Sequence, residues 1–87
     1  MDTFPLTELP KGQVACIDAI VPSAEFGVLD GEVSRRLADL GFSSGMGIAM
    51  VSNGIFGHGP YAVLLGSTAQ FALRRPEALK IRCRAPQ

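Results

Sequence analysis

The chain has 87 residues with eight acidic and eight basic side chains, so its formal net charge is zero, and we predict one domain over residues 1–87. Hydrophobic residues make up 47% of it and charged residues 18%, which excludes an intrinsically disordered chain. The apolar runs are too short to cross a membrane and no secretory signal opens the sequence, so we expect a cytoplasmic location without membrane insertion.

The first predicted strand covers residues 13–20, where apolar residues alternate in the period of two that strands follow. A turn at residues 10–12 precedes this strand, and Pro22 ends it. Residues 24–29 fit either a loop or a turn of helix, and both interpretations stay open.

A helix is predicted over residues 30–40, with Asp30 as its N-cap. Val33, Leu37 and Leu40 recur at helical spacing, so we expect this apolar stripe to face the core. The glycine that follows, Gly41, suits the left-handed residue that ends many helices. We expect the next residue, a phenylalanine, to fold back onto the last helical turn.

Three further strands are predicted over residues 48–52, 61–65 and 69–73, followed by a helical turn at residues 75–78. The chain then ends in an amphipathic strand in which apolar and basic residues alternate. Its apolar residues are Leu79, Ile81 and Cys83, and its basic residues are Lys80, Arg82 and Arg84. Five short strands, one helix and one helical turn predict a mainly β fold with short helices, closed or nearly closed into a small barrel.

The two cysteines, Cys16 and Cys83, are distant in sequence. In a small cytoplasmic protein such residues are typically buried thiols. A disulfide stays open as an alternative, provided that the first and last strands pair and bring the two Cα atoms within about 7 Å. Two cysteines without nearby histidines do not make a zinc site.

No catalytic residue, cofactor site or metal site is predicted. His58 is the only histidine, and no Asp, Glu or Cys lies within ten residues of it, so it lacks partners for metal binding or catalysis. The glycines at positions 54, 57 and 59 fit hairpin geometry better than a phosphate cradle, because no P-loop or dinucleotide motif is present.

An ordered set of mostly small or apolar residues, with three arginines and one glutamate, extends over nearly the whole sequence. It includes Leu6, Leu9, Gly12, Val14, Ile17, Arg36, Leu37, Leu40, Gly41, Phe42, Gly45, Val51, Gly59, Pro60, Tyr61, Ala62, Val63, Ala72, Leu73, Arg74, Arg75, Glu77, Ala78 and Ile81. This set resembles the ferrous iron transport protein A (FeoA-like) family, which implies an SH3-like barrel. The sequence departs from the family pattern in a longer connection over residues 21–30 and in His58, where an acidic residue often precedes the proline.

The resemblance implies a non-enzymatic, cytoplasmic accessory protein of bacterial ferrous iron uptake. Its expected partner is the membrane transporter of the same system, ferrous iron transport protein B, which carries a GTP-binding domain. The chain would then lie at the inner face of the membrane through that partner. Two alternatives are an SH3-like regulatory module, similar to the C-terminal domain of iron-dependent transcriptional repressors, and a generic protein-interaction module. The family's link to iron also leaves direct binding of a transition metal open.

Two groups of residues are candidates for contact with a partner. The first is a basic stripe of Lys80, Arg82 and Arg84, and the second is the loop that contains Phe56, His58 and Tyr61. The stripe is interpreted either as a solvated strand face or as a surface for an acidic or lipid-adjacent partner.

The charges are unevenly distributed: residues 1–40 hold seven acids and three bases, while residues 41–87 hold one acid and five bases. Folding could mix the two halves into an ordinary surface, or it could leave a basic face that attracts an acidic partner or anionic lipid. Nucleic acid is not an expected partner, since no aromatic side chain stands among the basic residues to stack on a base. Self-association through Met46, Ile55 and Phe56 is a further option if these side chains are exposed.

Overall fold

The structure is a computed structural model that describes residues 2–86, built on a six-stranded antiparallel sheet. Its elements are β1 (Phe4–Pro5), β2 (Val14–Ile20), α1 (Asp30–Leu40), β3 (Gly47–Ser52), β4 (Tyr61–Leu65), β5 (Ala69–Leu73), α2 (Arg75–Leu79) and β6 (Ile81–Arg84). The predicted domain also includes Met1 and Gln87, which lie outside the described residues. Within residues 2–86, no helix combines the length and the apolar character that crossing a membrane requires.

The strands follow the order β1-β6-β2-β3-β4-β5 across the sheet. Three 3₁₀ segments lie in the connections, at Leu6–Glu8, Ala24–Leu29 and Ile55–Gly57. Four of the five predicted strands agree with β2, β3, β4 and β5 to within one residue at each end, while the two-residue β1 has no counterpart in the prediction. So short a strand carries no alternation that a sequence pattern could reveal.

One face of the sheet packs against the core. In β4, Tyr61, Val63 and Leu65 are buried while the residues between them are half-buried. This alternation arises because successive side chains of a strand point to opposite faces. The buried core consists of Leu6, Leu9, Ala15, Ile17, Leu37, Phe42, Ile48, Met50, Tyr61, Val63, Leu65, Leu73, Ala78, Ile81 and Cys83.

Helix α1 ends as the sequence predicts. Gly41 takes φ 111° and ψ 4°, and its N–H donates to the Ala38 carbonyl. The Phe42 N–H donates to the Leu37 carbonyl at 3.0 Å, which completes a Schellman motif. The Phe42 ring is fully buried and lies 5.3 Å from the ring centroid of Phe71.

Two expectations about α1 are wrong. Leu40 is exposed, because the core at this end of the helix is filled by Phe42. Asp30 is the first helical residue and Leu29 takes the cap position, so Asp30 does not cap the helix. Its carboxylate instead accepts hydrogen bonds from the Ser23 N–H and the Lys80 ammonium group.

The predicted last strand is correct only from Ile81 onwards. Helix α2 extends to Leu79, so the alternation of a strand starts two residues later than the sequence suggests. Leu79 is therefore exposed and Lys80 buried, the reverse of the prediction, whereas Ile81 and Cys83 do face the core.

The two cysteines lie on neighbouring strands but on opposite faces of the sheet. β2 pairs with β6, so that Ile17 is opposite Cys83 and Cys16 is opposite Arg84. Ile17 and Cys83 are both buried, which places Cys16 on the other face, and both thiols are free. The disulfide alternative is therefore excluded, and burial raises the pKa of Cys83 to about 11.

Candidate functional site

The connection between β3 and β4, residues 53–60, closes on itself. The Gly59 N–H donates to the Asn53 carbonyl at 2.9 Å, and Gly54 forms a β-bridge with Gly59. Gly54 has φ 73°, and a Cβ at this position would lie 2.3 Å from the Gly59 carbonyl oxygen. The approach of the two backbones thus requires glycine, which supports the interpretation of these glycines as hairpin geometry.

Tyr61, the residue that follows this loop, anchors it from the buried side. Its side chain is fully buried, and its hydroxyl donates to the Gly57 carbonyl at 2.7 Å. The Arg75 guanidinium in turn donates to the Tyr61 oxygen at 2.8 Å. Tyr61 was predicted to contact a partner, but its burial makes it a residue that positions the loop. No local sequence pattern indicates the contribution of Arg75, which lies fourteen residues later in α2.

The tip of the loop presents two large apolar side chains to solvent. Ile55 is 75% exposed and Phe56 is 91% exposed. Phe56 has φ 56° and ψ 24°, and it is the one non-glycine residue with positive φ among residues 2–86. This left-handed conformation costs an L-residue roughly 1–2 kcal/mol. A strained backbone that carries an exposed aromatic side chain is typical of binding sites.

The loop lies in an uncharged part of the chain. No Asp, Glu, Lys or Arg occurs from residue 41 to residue 73, and His58 is exposed next to the tip. An apolar partner surface can therefore cover the tip without desolvating a full charge in this segment.

Lys80 does not belong to an exposed basic stripe. Its side chain is fully buried, and its ammonium group forms an ion pair with Asp30. The same nitrogen lies 5.6 Å from the ring centroid of Phe26. The hydrogen bond from Lys80, assisted by the Ser23 N–H and opposed by burial, lowers the pKa of Asp30.

The two arginines of the predicted stripe are half-buried and bonded within the chain. Arg82 donates to the carbonyl and hydroxyl oxygens of Thr3, at 3.0 and 2.9 Å. Arg84 donates to the Ile17 carbonyl at 3.0 Å and to the Asp18 carboxylate at 3.1 Å. These contacts join β6 to residues at its two neighbouring strands, β1 and β2. Of the three predicted stripe residues, Lys80 and Arg84 are paired with carboxylates and Arg82 is bonded to neutral oxygens.

Among residues 2–86, no three His, Cys, Asp or Glu residues are close enough to hold a metal ion. The arrangement at the loop is suited to binding, because it combines a rigid base with an apolar tip.

A model of the FeoA domain matches residues 4–85 of this chain, and comparison with curated proteins gave no match. The zinc complex of Stenotrophomonas maltophilia FeoA, described as a prokaryotic SH3 domain protein, is 31% identical with a TM-score of 0.76. That alignment covers 92% of this chain and 88% of the other. FeoA from Chlorobium tepidum is 26% identical with a TM-score of 0.75, covering 94% of this chain and 70% of the other.

A manganese-dependent transcriptional repressor shares the fold with a TM-score of 0.75 over 95% of this chain and 41% of its own. At 19% identity this likeness concerns the fold alone. The predicted fold class, mainly β with short helices in an SH3-like barrel, is confirmed. Because the family model spans nearly all described residues, this chain belongs to the FeoA family of small SH3-like accessory domains associated with ferrous iron transport, which is not a known enzyme family.

Proposed function

We propose that this protein is a non-enzymatic accessory factor that binds the membrane transporter of its ferrous iron uptake system, ferrous iron transport protein B, through the tip formed by Ile55 and Phe56. One observation carries the proposal: the fold holds Phe56 in solvent, 91% exposed and in a left-handed conformation. The core gains nothing from this arrangement, which therefore favours a role in recognition.

The anchoring of the loop supports binding on energetic grounds. Burial of a phenylalanine side chain contributes about 2 kcal/mol. Most of this contribution is available to a complex only if little ordering of the loop remains to be done. The hydrogen bonds of Tyr61 to Gly57 and Arg75 meet that condition, since they fix the base of the tip before any partner arrives.

An accessory role requires no chemistry from this chain. A partner that exchanges between conformations is shifted towards whichever one binds the tip better. The S. maltophilia relative is described as possibly acting as a bacterial ferrous iron transport activating factor, which agrees with such a shift. The protein would accordingly act in the cytoplasm, at the inner face of the membrane where its partner lies.

The experiment is a binding titration of the purified chain against detergent-solubilised full-length transporter, with and without guanine nucleotide, at low and high salt. We expect Phe56→Ser to weaken binding by about tenfold, since an apolar anchor is lost. Val28→Ser is the matched control, because Val28 is 99% exposed but lies outside the loop. The loss of affinity caused by Phe56→Ser should be similar at low and high salt, since the tip carries no charge.

Tyr61→Phe provides a second test, because it leaves the tip intact and removes only the hydroxyl that anchors it. We expect an affinity between those of the wild type and Phe56→Ser. Absence of binding in every nucleotide state would overturn the proposed partner. Equal affinities of Phe56→Ser and the wild type would overturn the proposed surface.

A further inference from the structure

A second surface lies outside the loop at Phe56, where the Ala24–Leu29 segment meets α1 and α2. The three elements enclose an open cleft of about 290 Å³. Its apolar lining consists of Phe26, Leu29 and Val33, and its charged lining consists of Glu32, Arg36 and Glu77. This volume is just below the range of about 300–1,000 Å³ for small-molecule sites, so we expect parts of neighbouring side chains of a larger molecule to enter the cleft.

The charges of the cleft favour a cation. Among residues 2–86 the ion pairs are Lys80 with Asp30 and Arg84 with Asp18, so Glu32, Arg36 and Glu77 form none within this part of the chain. The Glu77 carboxylate accepts a hydrogen bond from the Arg74 backbone N–H at 3.0 Å. This donor is uncharged, so the negative charge of Glu77 is not balanced by a cation. Two carboxylates against one guanidinium give the lining an excess negative charge.

The apolar wall of the cleft is held in place. The Lys80 ammonium group, paired with Asp30, lies 5.6 Å from the Phe26 ring centroid. The Asp30 carboxylate also accepts the Ser23 N–H at 3.0 Å, which fixes the start of the segment. Leu29 remains 56% exposed on this fixed segment, so apolar surface is available to a ligand that enters the cleft.

We propose that this cleft binds a basic peptide segment in which a lysine or arginine adjoins an apolar side chain. The apolar side chain would contact Phe26 and Leu29, and the cation would lie between Glu32 and Glu77. Identifying the source as a cytosol-facing segment of the membrane partner rests on the proposed function. Such segments are enriched in Lys and Arg close to the membrane spans, which gives the charge that the cleft complements.

The probe is a fluorescein-labelled short peptide of lysine and leucine, titrated with the purified chain by fluorescence anisotropy. We expect Glu32→Gln and Glu77→Gln each to weaken binding by about threefold to tenfold, and Arg36→Gln to strengthen it by about twofold or more. Glu25→Gln is the matched control, because it changes the net charge equally at an exposed residue outside the cleft lining. It should alter the affinity by less than about twofold.

The apolar contact of the proposal is tested by substituting two adjacent residues, one in the cleft lining and one outside it. Leu29→Ser should weaken peptide binding by about fivefold or more, whereas Val28→Ser, at a more exposed apolar residue outside the cleft lining, should not. The proposal is overturned if the cleft variants match Glu25→Gln and Val28→Ser, or if Arg36→Gln weakens binding.

The peptide assay contains no transporter, so its result is independent of the proposed function. If the peptide binds with the expected variant pattern but the transporter does not bind, the transporter is not the partner, and the cleft is still a site for basic peptides. Transporter binding that depends on Phe56, together with no peptide binding, would refute the cleft alone.

Discussion

The buried ammonium group of Lys80 forms an ion pair with the carboxylate of Asp30, fifty residues earlier in the chain. The pair connects the first turn of α1 to the residue that follows α2. Because the same carboxylate oxygen accepts the Ser23 N–H, one side chain joins the start of the 24–29 segment, the first turn of α1 and the residue after α2. These segments include two walls of the cleft.

Removal of the lysine should destabilise the fold. We expect Lys80→Ala to lower the free energy of unfolding by about 3 kcal/mol, since it removes a fully buried side chain, leaves a cavity and takes away the partner of Asp30. Lys80→Met should cost less, because it refills most of the volume. Urea unfolding followed by circular dichroism measures both. A loss below about 1 kcal/mol for Lys80→Ala would show that the pair contributes little net stability.

The same pair predicts a dependence of stability on pH. The hydrogen bond from Lys80 holds the pKa of Asp30 below its ordinary value of 3.8. The stabilising contribution is therefore complete above the unfolded pKa and is lost as pH falls through the lower folded pKa. Urea titrations below pH about 4 should show a steeper loss of stability for the wild type than for Asp30→Asn. Asp39→Asn, which removes an exposed carboxylate, is the control and should follow the wild type.

Phe56→Gly should separate stability from binding. Glycine adopts the left-handed conformation of residue 56 without strain, so we expect a gain of up to about 1 kcal/mol in the free energy of unfolding despite the loss of a large side chain. The same variant should bind the transporter as weakly as Phe56→Ser. Thermal melts provide the stability measurement. A clear drop in melting temperature would mean that the ring packs against the fold after all.

The two thiols should differ in reactivity. Cys83 is fully buried and its pKa is raised to about 11, whereas Cys16 is half-buried on the opposite face of the sheet. A thiol-specific reagent should modify Cys16 in the native protein and Cys83 only after unfolding, because the thiolate is the reactive form. Mass spectrometry with and without urea counts the modified thiols, with Cys16→Ser as the control. Rapid native labelling of both cysteines would contradict this placement.

Much of the fold could be predicted from local patterns. The bounds of α1 and the alternation in β4 follow from side-chain periodicity, and the glycine at position 41 marks the end of the helix. These features depend on residues within a few positions of one another. A single sequence contains that information, so the mainly β class and the order of the elements were accessible from it.

The features that the sequence did not predict depend on distant partners. Lys80 fits an amphipathic strand by its neighbours alone, and only Asp30, brought close by the fold, explains its burial. Tyr61 is buried at the start of β4, where it supports the neighbouring loop instead of facing a partner, and its hydrogen bond from Arg75 joins residues fourteen positions apart. The cleft arises from three separate segments, and none of them has a pattern that reveals it.

The pairing of the first strand with the last has a practical consequence for rearranging the chain. Phe4 lies opposite Cys83 across the β1–β6 pair, so the two ends of the described chain run side by side. Adjacent ends are the condition under which circular permutation is tolerated. A short flexible linker could join them, with new ends opened in the exposed turn at residues 66–68. Phe56 would then lie ten residues before the new C-terminal end and Glu77 of the cleft nine residues after the new N-terminal end, so a tag on the rearranged chain would be close in sequence to both surfaces.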